Sequence, residues 1–418
     1  MKPLRNFNDV HAALQLFVQQ TPAVAAAYTL DRIRELLHRL GDPQDQLRVI
    51  HVAGTSGKTS TAYYIATMLT EAGQQVGLSV SPHLDEVNER LQINLEPLAE
   101  AAYCRALGEF LELVEAHDIP LTYFELLVAF AYWYFAKTGV DYAVIEVGLG
   151  GLLDGTNVVS RTDKVCVITD IGIDHAHILG NTLAEIAAQK AGIMQSGNIA
   201  FCFEQSPEVL TAFRRIAAQR RAELRIQTFD PDNPMLIDMP VYQRRNWQLA
   251  ARVYEHLAAR DGLASLSLEG WQRSTTIHIP GRMETIRLDT KTIIMDGAHN
   301  FQKMEALVAS IRERYADQPL AVLVSFAAGK DVGQTLAALS GLAEAVVITE
   351  FKTNQDMVHK PMAATEVALL SRGVAPDIQT IPDVAKALQT LVAMPQPIIV
   401  ITGSFYLLHQ VRALIRRL

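Results

Sequence analysis

The stretch VIHVAGTSGKTS, which runs from Val49 to Ser60, determines how this chain folds. Its β-branched apolar run stops at Gly54, and a helical pattern begins after Lys58. Apolar residues then recur at the spacing of one helix face, at Ala62, Ile65, Ala66 and Leu69. A strand, a glycine loop and a helix N-terminus in this order predict a binding loop for nucleotide phosphates.

The residue types within this loop suit phosphate chemistry. Gly54 and Gly57 let backbone N–H groups approach phosphate oxygens. Lys58 supplies a positive charge for the β- and γ-phosphates, and the hydroxyl of Thr59 suits Mg²⁺. Val52 stands where the first glycine of the usual G-x-x-x-x-G-K-[ST] pattern would be, so the loop is short. We therefore predict that the chain binds ATP and Mg²⁺.

Composition limits the class of protein. The 418 residues are 49% hydrophobic and 20% charged, which is typical of a globular protein with two or three domains. The net charge of −8 argues against nucleic acid as a partner. Cys104, Cys166 and Cys202 have no metal-site spacing and are expected to be buried thiols in a reducing compartment. The N-terminus shows no signal-peptide pattern, and the longest apolar run, 124–136, is too short to span a bilayer. We expect a cytoplasmic protein without a membrane partner.

Strand-like runs alternate with helical patterns in two series along the chain. The first series comprises 49–53, 76–80, 140–147, 165–171 and 199–203, and the second comprises 292–295, 321–325, 345–350 and 398–402. Such alternation predicts mainly parallel sheets covered by helices. We predict an α/β protein in which a P-loop NTPase-like domain (residues 1–286) precedes a smaller Rossmann-like α/β domain (residues 287–418). A substrate cleft is expected between them.

Polar residues follow several of the predicted strands. Glu146 ends an apolar run and precedes a glycine-rich segment. Ligands bind at the carboxyl ends of parallel strands, and a carboxylate among apolar residues needs a cation, so we predict that Glu146 ligates Mg²⁺. A helix cap or a pair with an arginine is the alternative. The hydroxyl of Ser81 follows the strand 76–80 and is expected at the same edge.

Two imidazoles and two carboxylates lie at the end of the predicted strand 165–171: Asp170, Asp174, His175 and His177. They predict either a cation or phosphate site or, alternatively, structural histidines. Lys190 lies in the helical segment 182–191 and by itself resembles an ordinary surface lysine. The polar loop 154–157 is expected to line the cleft. In the second domain, Asp296 and His299 are expected to point toward the cleft, and Asn300 to cap a helix.

The ordered motifs resemble folylpolyglutamate synthase, the folate branch of the Mur ligase superfamily. The resemblance covers nearly the whole chain. It rests on YTLDRI (28–33), GTSGKT (54–59), SPHLDEVNERLQI (81–93), LTYFE (121–125), EVGLGGLLDGTN (146–157), DHAHILG (174–180), QKAGI (189–193), PGRME (280–284), DGAHN (296–300) and GSFYLL (403–408).

The resemblance implies an ATP-dependent ligase with a Mur ligase type of fold. The carboxylate of a pterin-bearing folate attacks the γ-phosphate of ATP and forms an acyl phosphate. The amine of L-glutamate then attacks the acyl carbon and releases phosphate. The implied partners are small molecules (folate, L-glutamate and ATP), and we expect the chain to be a monomer.

The resemblance also assigns roles by position. ATP would be held by Thr55, Ser56, Gly57, Lys58, Asn246, Arg282 and Asp296, together with Thr59. One Mg²⁺ would be ligated by Ser81, Glu146 and His175. A second Mg²⁺ would be ligated by Lys190, which the family carbamylates and so turns from a cation into a carboxylate-like ligand.

The remaining roles concern the two substrates. The folate would lie against Thr122, Tyr123, Phe124, Glu125, Leu153, Asp154 and Gly155, and the incoming glutamate against His299 and Ser404. The residues assigned to catalysis are Lys58, Lys190, Arg282 and His299.

The chain departs from the family pattern at three positions. Thr59 replaces a glycine and resembles the wider Mur ligases, Leu152 replaces an arginine, and Gly155 replaces an alanine. The changes at Leu152 and Gly155 leave open which pterin substrate is preferred and whether dihydropteroate is used. One alternative is a Mur-type ligase that acts on a UDP-linked cell-wall precursor. Another is a nucleotide-binding module without ligase chemistry.

Overall fold

The computed structural model describes residues 3–18, 29–316, 318–329, 331–352 and 360–416. Tyr28, the first residue of one quoted motif, therefore lies outside the described residues. The chain forms two compact units. The first comprises the described residues up to Ile237 together with Arg244–Ile277, and the second comprises Asp238–Gln243 together with the described residues from His278 onward.

An eight-stranded sheet forms the centre of the first unit. Its strands in chain order are β1 (Val49–Ala53), β2 (Val76–Ser79), β3 (Gln92–Ile93), β4 (Glu96–Pro97), β5 (Tyr142–Glu146), β6 (Val165–Ile168), β7 (Ile199–Phe203) and β8 (Glu223–Gln227). Their order across the sheet is β4-β3-β2-β5-β1-β6-β7-β8. The pairs β2–β3 and β3–β4 are antiparallel, and the other neighbouring pairs are parallel.

Helices flank this sheet. Those that begin before His278 are α1 (Phe7–Val18), α2 (Asp31–Arg39), α3 (Lys58–Glu71), α4 (Glu100–His117), α5 (Tyr123–Thr138), α6 (Ala176–Leu179), α7 (Leu183–Ala191), α8 (Pro207–Arg220), α9 (Val241–Asp261) and α10 (Leu268–Thr275). Every residue of β1, β5 and β6 is buried, as expected for central parallel strands with helices on both faces. None of the described helices is long and apolar enough to cross a bilayer.

The second unit contains a six-stranded sheet. Its strands are β9 (Glu284–Leu288), β10 (Lys291–Met295), β11 (Leu320–Val324), β12 (Ala345–Ile348), β13 (Asp377–Thr380) and β14 (Ile398–Thr402), in the order β13-β12-β11-β14-β10-β9. All pairs are parallel except β9–β10. The helices are α11 (Phe301–Arg314), α12 (Val332–Ala337), α13 (Ala364–Leu370), α14 (Val384–Ala393) and α15 (Phe405–Ile415).

These two mainly parallel sheets confirm the predicted α/β class. The compact units separate between Ile277 and His278, which is earlier in the chain than the boundary predicted at residue 287. The reason is β9, which the sequence patterns did not indicate. It pairs along its whole length with β10, so residues 284–288 belong to the second sheet.

Candidate active site

The phosphate-binding loop connects β1 to α3, as predicted, and the segment after β6 holds it in place. The backbone N–H groups of Thr55 and Ser56 both donate to the carbonyl oxygen of Asp170, at 2.9 and 3.2 Å. The Thr55 hydroxyl donates to the carbonyl of Gly172 at 3.1 Å. These two amides therefore fix the loop. The first turn of α3 follows directly, and a helix N-terminus at this position suits a phosphate.

Both glycines of the loop are required by close contacts. A Cβ at Gly54 would lie 1.8 Å from Oγ1 of Thr169, and a Cβ at Gly57 would lie 2.3 Å from Oδ1 of Asn246. Gly57 also has a φ of 91° and directly precedes α3. The structure thus places the buried side chain of Asn246, on α9, against the phosphate-binding loop.

Glu146 connects three chain segments at the carboxyl end of β5. Its side chain is only 3% exposed. Oε1 accepts a hydrogen bond from the Thr59 hydroxyl at 2.9 Å, and Oε2 accepts one from the backbone N–H of Ser81 at 3.1 Å. The predicted meeting of the strand ends at Glu146 is therefore present, although Ser81 contacts it through its backbone and not its hydroxyl.

The residues at this edge fit Mg²⁺ without forming a complete cage. Within the described chain, no group of three or more His, Cys, Asp or Glu side chains is arranged to hold a metal ion. Mg²⁺ commonly takes one or two carboxylates and completes its shell with substrate phosphates and water. The carboxylate of Glu146 and the hydroxyl of Thr59, both beside the phosphate-binding loop, match that donor set.

His175 stands at the N-terminus of the short helix α6. Its φ of 50° lies in the left-handed region, and its backbone N–H donates to Oδ1 of Asp174 at 3.0 Å. Nε2 of its imidazole lies 3.7 Å from the same oxygen, and the side chain is 39% exposed. The rings of His175 and His177 are 6.3 Å apart. The two histidines thus lie on a turn, and the side chain of Asp174 stabilises the backbone of that turn.

Lys190 lies in the last turn of α7 and is only 5% exposed. The interpretation of this residue as an ordinary surface lysine is therefore wrong. The sequence shows a lysine in a helix but gives no sign of what covers it. The glycine-rich loop contacts the backbone at this end of α7, because the N–H of Leu152 donates to the carbonyl of Gln189 at 2.8 Å.

The 148–157 loop is ordered by its own aspartate. Oδ2 of Asp154 accepts from the backbone N–H of Leu149 at 2.7 Å, and Oδ1 accepts from that of Thr156 at 3.0 Å. Burial raises the pKa of the Asp154 carboxyl, while these hydrogen bonds and the positive charge of Lys58 oppose that rise. Asp154 therefore fixes the conformation of its own loop, and the positive charge of Lys58 favours its ionised form.

Phe124 packs against this loop. A Cβ at Gly148 would lie 2.4 Å from Cζ of the Phe124 ring, so position 148 has no room for a side chain. A Cβ at Gly155 would lie 3.6 Å from Cδ1 of the same ring, which is ordinary contact. The alanine of the family pattern would therefore fit at position 155. Leu153 is 51% exposed beside them.

The other residues predicted at the folate site have clear structural roles. Thr122 and Glu125 form a capping box at the start of α5, in which the N–H of Thr122 donates to Oε2 of Glu125 at 2.8 Å. Oε1 of Glu125 accepts from Arg32 at 3.3 Å. Tyr123 is buried, and the guanidinium of Arg90 lies 5.6 Å from its ring centre. These contacts fix the helix end that presents Phe124.

Asp296 of the second unit is buried, and both of its carboxylate oxygens accept hydrogen bonds. Its Oδ2 accepts from the Tyr242 hydroxyl at 2.7 Å and from the N–H of Met283 at 2.9 Å. Its Oδ1 accepts from the N–H of Ala298 at 2.9 Å. Burial raises the pKa of the Asp296 carboxyl, and the charge of Arg282 is the main opposing influence.

His299 and Arg282 both lie near Phe405. The centroid of the His299 ring is 6.4 Å from that of Phe405, and the Arg282 guanidinium lies 4.6 Å above the Phe405 ring. Nδ1 of His299 donates to the carbonyl of Gly297 at 2.8 Å, which leaves Nε2 to accept from Lys303 at 3.0 Å.

Two helix caps complete this part of the second unit. Ser404 caps α15 by accepting from the N–H of Tyr406 at 3.1 Å. Asn300 caps α11 by accepting from the N–H of Lys303 at 3.0 Å, which confirms the predicted cap.

The sequence analysis missed one supporting residue of the phosphate-binding loop. Nε of Arg245 lies 3.0 Å from both carboxylate oxygens of Asp170, whose carbonyl holds the loop. The Arg245 guanidinium also lies 4.6 Å from the ring centre of Phe203. The sequence does show that Arg245 is next to Asn246, which was assigned to ATP. It does not show the pairing with Asp170, because the two residues lie far apart in the chain.

Comparisons with known proteins agree with this geometry. The Mur ligase middle domain matches residues 52–235, and the C-terminal domain of dihydrofolate synthetase matches residues 281–415. The dihydrofolate synthase/folylpolyglutamate synthase of Bacillus subtilis is 31% identical over 92% of this chain and 94% of that protein. The folylpolyglutamate synthase of Lacticaseibacillus casei is 32% identical over 95% and 96%.

A solved structure shows the same architecture. The folylpolyglutamate synthase of Mycobacterium tuberculosis, in a complex with ADP, superposes with a TM-score of 0.84 at 28% identity, and the match covers 97% of each chain. Together with the phosphate-binding loop and the buried Glu146, these matches show that the chain belongs to the folylpolyglutamate synthase and dihydrofolate synthase family of Mur-type, ATP-dependent ligases.

Proposed function

We propose that this chain joins the amine of L-glutamate to a carboxyl group of a reduced folate and consumes one ATP. A carboxylate oxygen of the folate attacks the γ-phosphorus, and the bond to the ADP oxygen breaks. The amine nitrogen of glutamate then attacks the acyl carbon. The carbon–oxygen bond to phosphate breaks, and the amine loses a proton as the amide forms.

The observation that carries this proposal is the position of Glu146. It is buried, it contacts Thr59 of the phosphate-binding loop, and it lies at the carboxyl end of β5. Phosphoryl transfer depends mainly on positioning and on neutralisation of charge. A bound Mg²⁺ would supply that neutralisation of charge. Glu146 and Thr59 would hold it, and the family resemblance adds Ser81 and His175 to the ligand set.

Lys58 has the second electrostatic role. It opens α3, so its ammonium and the N–H groups of the first helical turn face the same anion. Since Thr55 and Ser56 donate their amides to Asp170, we assign phosphate contact to Gly57, Lys58 and Thr59 and a supporting role to the two residues before them.

We further propose that Lys190 is carbamylated. The uncharged amine adds to CO₂ and loses a proton, which gives an anionic carbamate that can hold a second Mg²⁺. Support comes from burial: a lysine that is only 5% exposed is disfavoured as a cation. The roles of Asn246, Arg282 and Asp296 toward ATP, and of His299 and Ser404 toward glutamate, remain assignments by family position.

A second candidate reaction is the addition of glutamate to dihydropteroate. Two observations favour it. The second unit matches the C-terminal domain of dihydrofolate synthetase, and a Bacillus subtilis relative carries both names. We propose dihydropteroate as an additional substrate and tetrahydrofolate as the main one.

One assay separates the candidates. ADP release by the full chain is measured with L-glutamate and either tetrahydrofolate, dihydropteroate or a UDP-linked muropeptide, and each product is identified by mass spectrometry. We expect release that requires both glutamate and tetrahydrofolate, with a product one glutamyl residue heavier. Release with the muropeptide alone would make the chain a cell-wall ligase. ATP binding without release in any mixture would make it a non-catalytic module.

The compartment and oligomeric state are part of the same proposal. Cys104, Cys166 and Cys202 are free, buried thiols, and burial raises the pKa of Cys202 to about 12. Such thiols favour the reducing cytoplasm. We propose a monomer, which sedimentation of the purified chain tests.

A further inference from the structure

A buried histidine directly beneath the phosphate-binding loop has no role in the function described so far. His51 lies in the middle of β1, is fully buried, and is in register with Ile145 of β5 and Cys166 of β6. Its Nε2 lies 2.8 Å from the hydroxyl of Thr156, in the 148–157 loop. The strand that leads into the phosphate-binding loop is thereby connected to the loop that we assign to folate.

The Thr156 hydroxyl makes a second contact. Oγ1 lies 2.5 Å from Oδ1 of Asp154, so one hydroxyl stands between an imidazole and a carboxylate. A hydroxyl has one proton to donate, and an ionised carboxylate only accepts. With the Asp154 carboxylate ionised, Thr156 donates to Asp154 and accepts from His51. This order requires His51 to carry its proton on Nε2.

The other imidazole nitrogen supports the same order. Nδ1 of His51 is buried and has no hydrogen-bond partner among the described residues. With the proton on Nε2, Nδ1 is a bare acceptor. The opposite order would require a protonated Asp154 and would place an unpaired N–H donor at Nδ1, and orphaned buried N–H groups are rarer in proteins than under-satisfied acceptors. Burial and the charge of Lys164 also lower the pKa of His51, which keeps the ring neutral.

We propose that His51 and Thr156 are positioning residues that hold the Asp154 carboxylate ionised and correctly oriented for binding the folate. The inference rests on the proposed function, because it takes the 148–157 loop as the folate site. The chain of contacts runs from the imidazole through the hydroxyl to the carboxylate. An ionised Asp154 can accept hydrogen bonds from N–H groups of a heterocyclic ligand, whereas a protonated one would offer a donor in their place.

Groups on every neighbouring element affect this carboxylate. Lys58 on α3 favours the ionised form of Asp154 by its charge. Tyr132 on α5 donates its hydroxyl to the carbonyl of Thr156 at 2.9 Å and holds the loop from the opposite side. On β1, His51 contributes a neutral N–H donor. Removal of the Thr156 hydroxyl leaves the backbone hydrogen bonds that Asp154 accepts from Leu149 and Thr156, so the variant tests the side-chain contact alone.

The variant Thr156→Val removes the hydroxyl and keeps the shape. We expect the KM for tetrahydrofolate to rise about tenfold or more, which corresponds to a lost hydrogen bond to a charged group. The KM for ATP should stay near the parent value. Thr156→Ser keeps the hydroxyl and should restore the parent KM for the folate. Thr67→Val removes another buried hydroxyl, which bonds the carbonyl of Tyr63, and serves as the matched control.

Substitutions of the histidine test the same contact from the other side. His51→Gln retains an N–H donor that can reach Thr156 and should keep the KM for the folate within a fewfold of the parent. His51→Leu lacks the donor and should behave like Thr156→Val. An unchanged KM for the folate in folded Thr156→Val or His51→Leu protein would overturn the proposal. So would equal rises in the KM for ATP and for the folate, since a general packing defect would cause them.

A measurement on the unmodified chain keeps the proposal testable even where a variant does not fold. Nitrogen chemical shifts of the histidine side chains distinguish the two neutral forms of imidazole, and the signal of His51 is the one missing in His51→Gln. We expect a neutral ring with the proton on Nε2. A proton on Nδ1, or a charged ring at neutral pH, would overturn the proposal. If the parent chain releases no ADP with a folate, the proposed function is refuted. The measured protonation state of His51 does not depend on that result.

Discussion

Two strand–loop–helix connections of this protein have the same topology and different chemistry. In the first unit, β1 leads through residues 54–57 into α3, and in the second, β10 leads through residues 296–300 into α11. Gly57 has no side chain with which to cap α3. Asn300, in contrast, caps α11 with its own side chain.

The difference shows what makes a helix N-terminus an anion site. The first N–H groups of a helix lack partners within the helix and carry its positive dipole end. At α11 the Asn300 side chain satisfies one of these donors, and the carboxylate of Asp296 takes the N–H of Ala298 in the preceding loop. At α3 the N-cap glycine has no side-chain acceptor to offer the corresponding donors. The predictions below test this contrast, beginning with the largest expected effect.

Lys58→Ala should abolish turnover and leave the fold intact. The substitution removes the charge that meets the β- and γ-phosphates at the uncapped helix, and loss of one such group commonly costs about 10²–10³-fold in rate. ADP release and circular dichroism are measured together. Lys386→Ala, which removes an exposed lysine of α14, is the control. Unchanged turnover in folded Lys58→Ala protein would show that the loop does not hold the transferred phosphate.

Lys190→Ala should remove most ligase activity. A carbamylated lysine acts as an anionic metal ligand, so a short carboxylate such as acetate should partly restore activity by occupying the vacant ligand position. Mass spectrometry of the native protein in the presence of CO₂ checks the modification directly. Activity close to that of the parent, with no response to acetate, would contradict the carbamate and leave Lys190 as a buried structural lysine.

Glu146→Gln should raise the Mg²⁺ concentration needed for half-maximal activity. The amide keeps the size of the side chain and still accepts from Thr59 or Ser81, but it loses the negative charge that attracts the ion. Activity is titrated against Mg²⁺ at saturating ATP. Glu185→Gln, in the exposed capping box of α7, is a control that changes a carboxylate elsewhere. An identical Mg²⁺ dependence in Glu146→Gln and the parent would exclude the metal role.

The sequence predicted the central elements well because their patterns are local. β1, β7 and β14 were predicted to the residue, since each is a mainly apolar run between turn residues. β8, β9 and β13 were missed because each lies at a sheet edge and carries charged or polar residues. The strand predicted at 165–171 ends at Ile168, and the residues after it hold the phosphate-binding loop instead.

The candidate site shows the same limit. Glu146 was found because a carboxylate at the end of an apolar strand is unusual. The burial of Lys190 and the pairing of Arg245 with Asp170 depend on segments far apart in the chain, which a sequence pattern does not reveal. Thr122 and Glu125 were assigned to the folate, and the structure adds a capping box that the S/T-x-x-E spacing itself would have indicated.

The smallest effect concerns the cap that distinguishes α11 from α3. Asn300→Ala removes the acceptor for the N–H of Lys303 and should lower the free energy of unfolding by about 1 kcal/mol, the usual cost of losing such a cap. Asn300→Ser keeps an acceptor and should remain close to the parent. Urea titration followed by circular dichroism measures both variants. If Asn300→Ala instead keeps its stability and loses the ability to use glutamate, then the start of α11 binds a ligand as α3 does. In that case the contrast between an open and a capped helix would not hold.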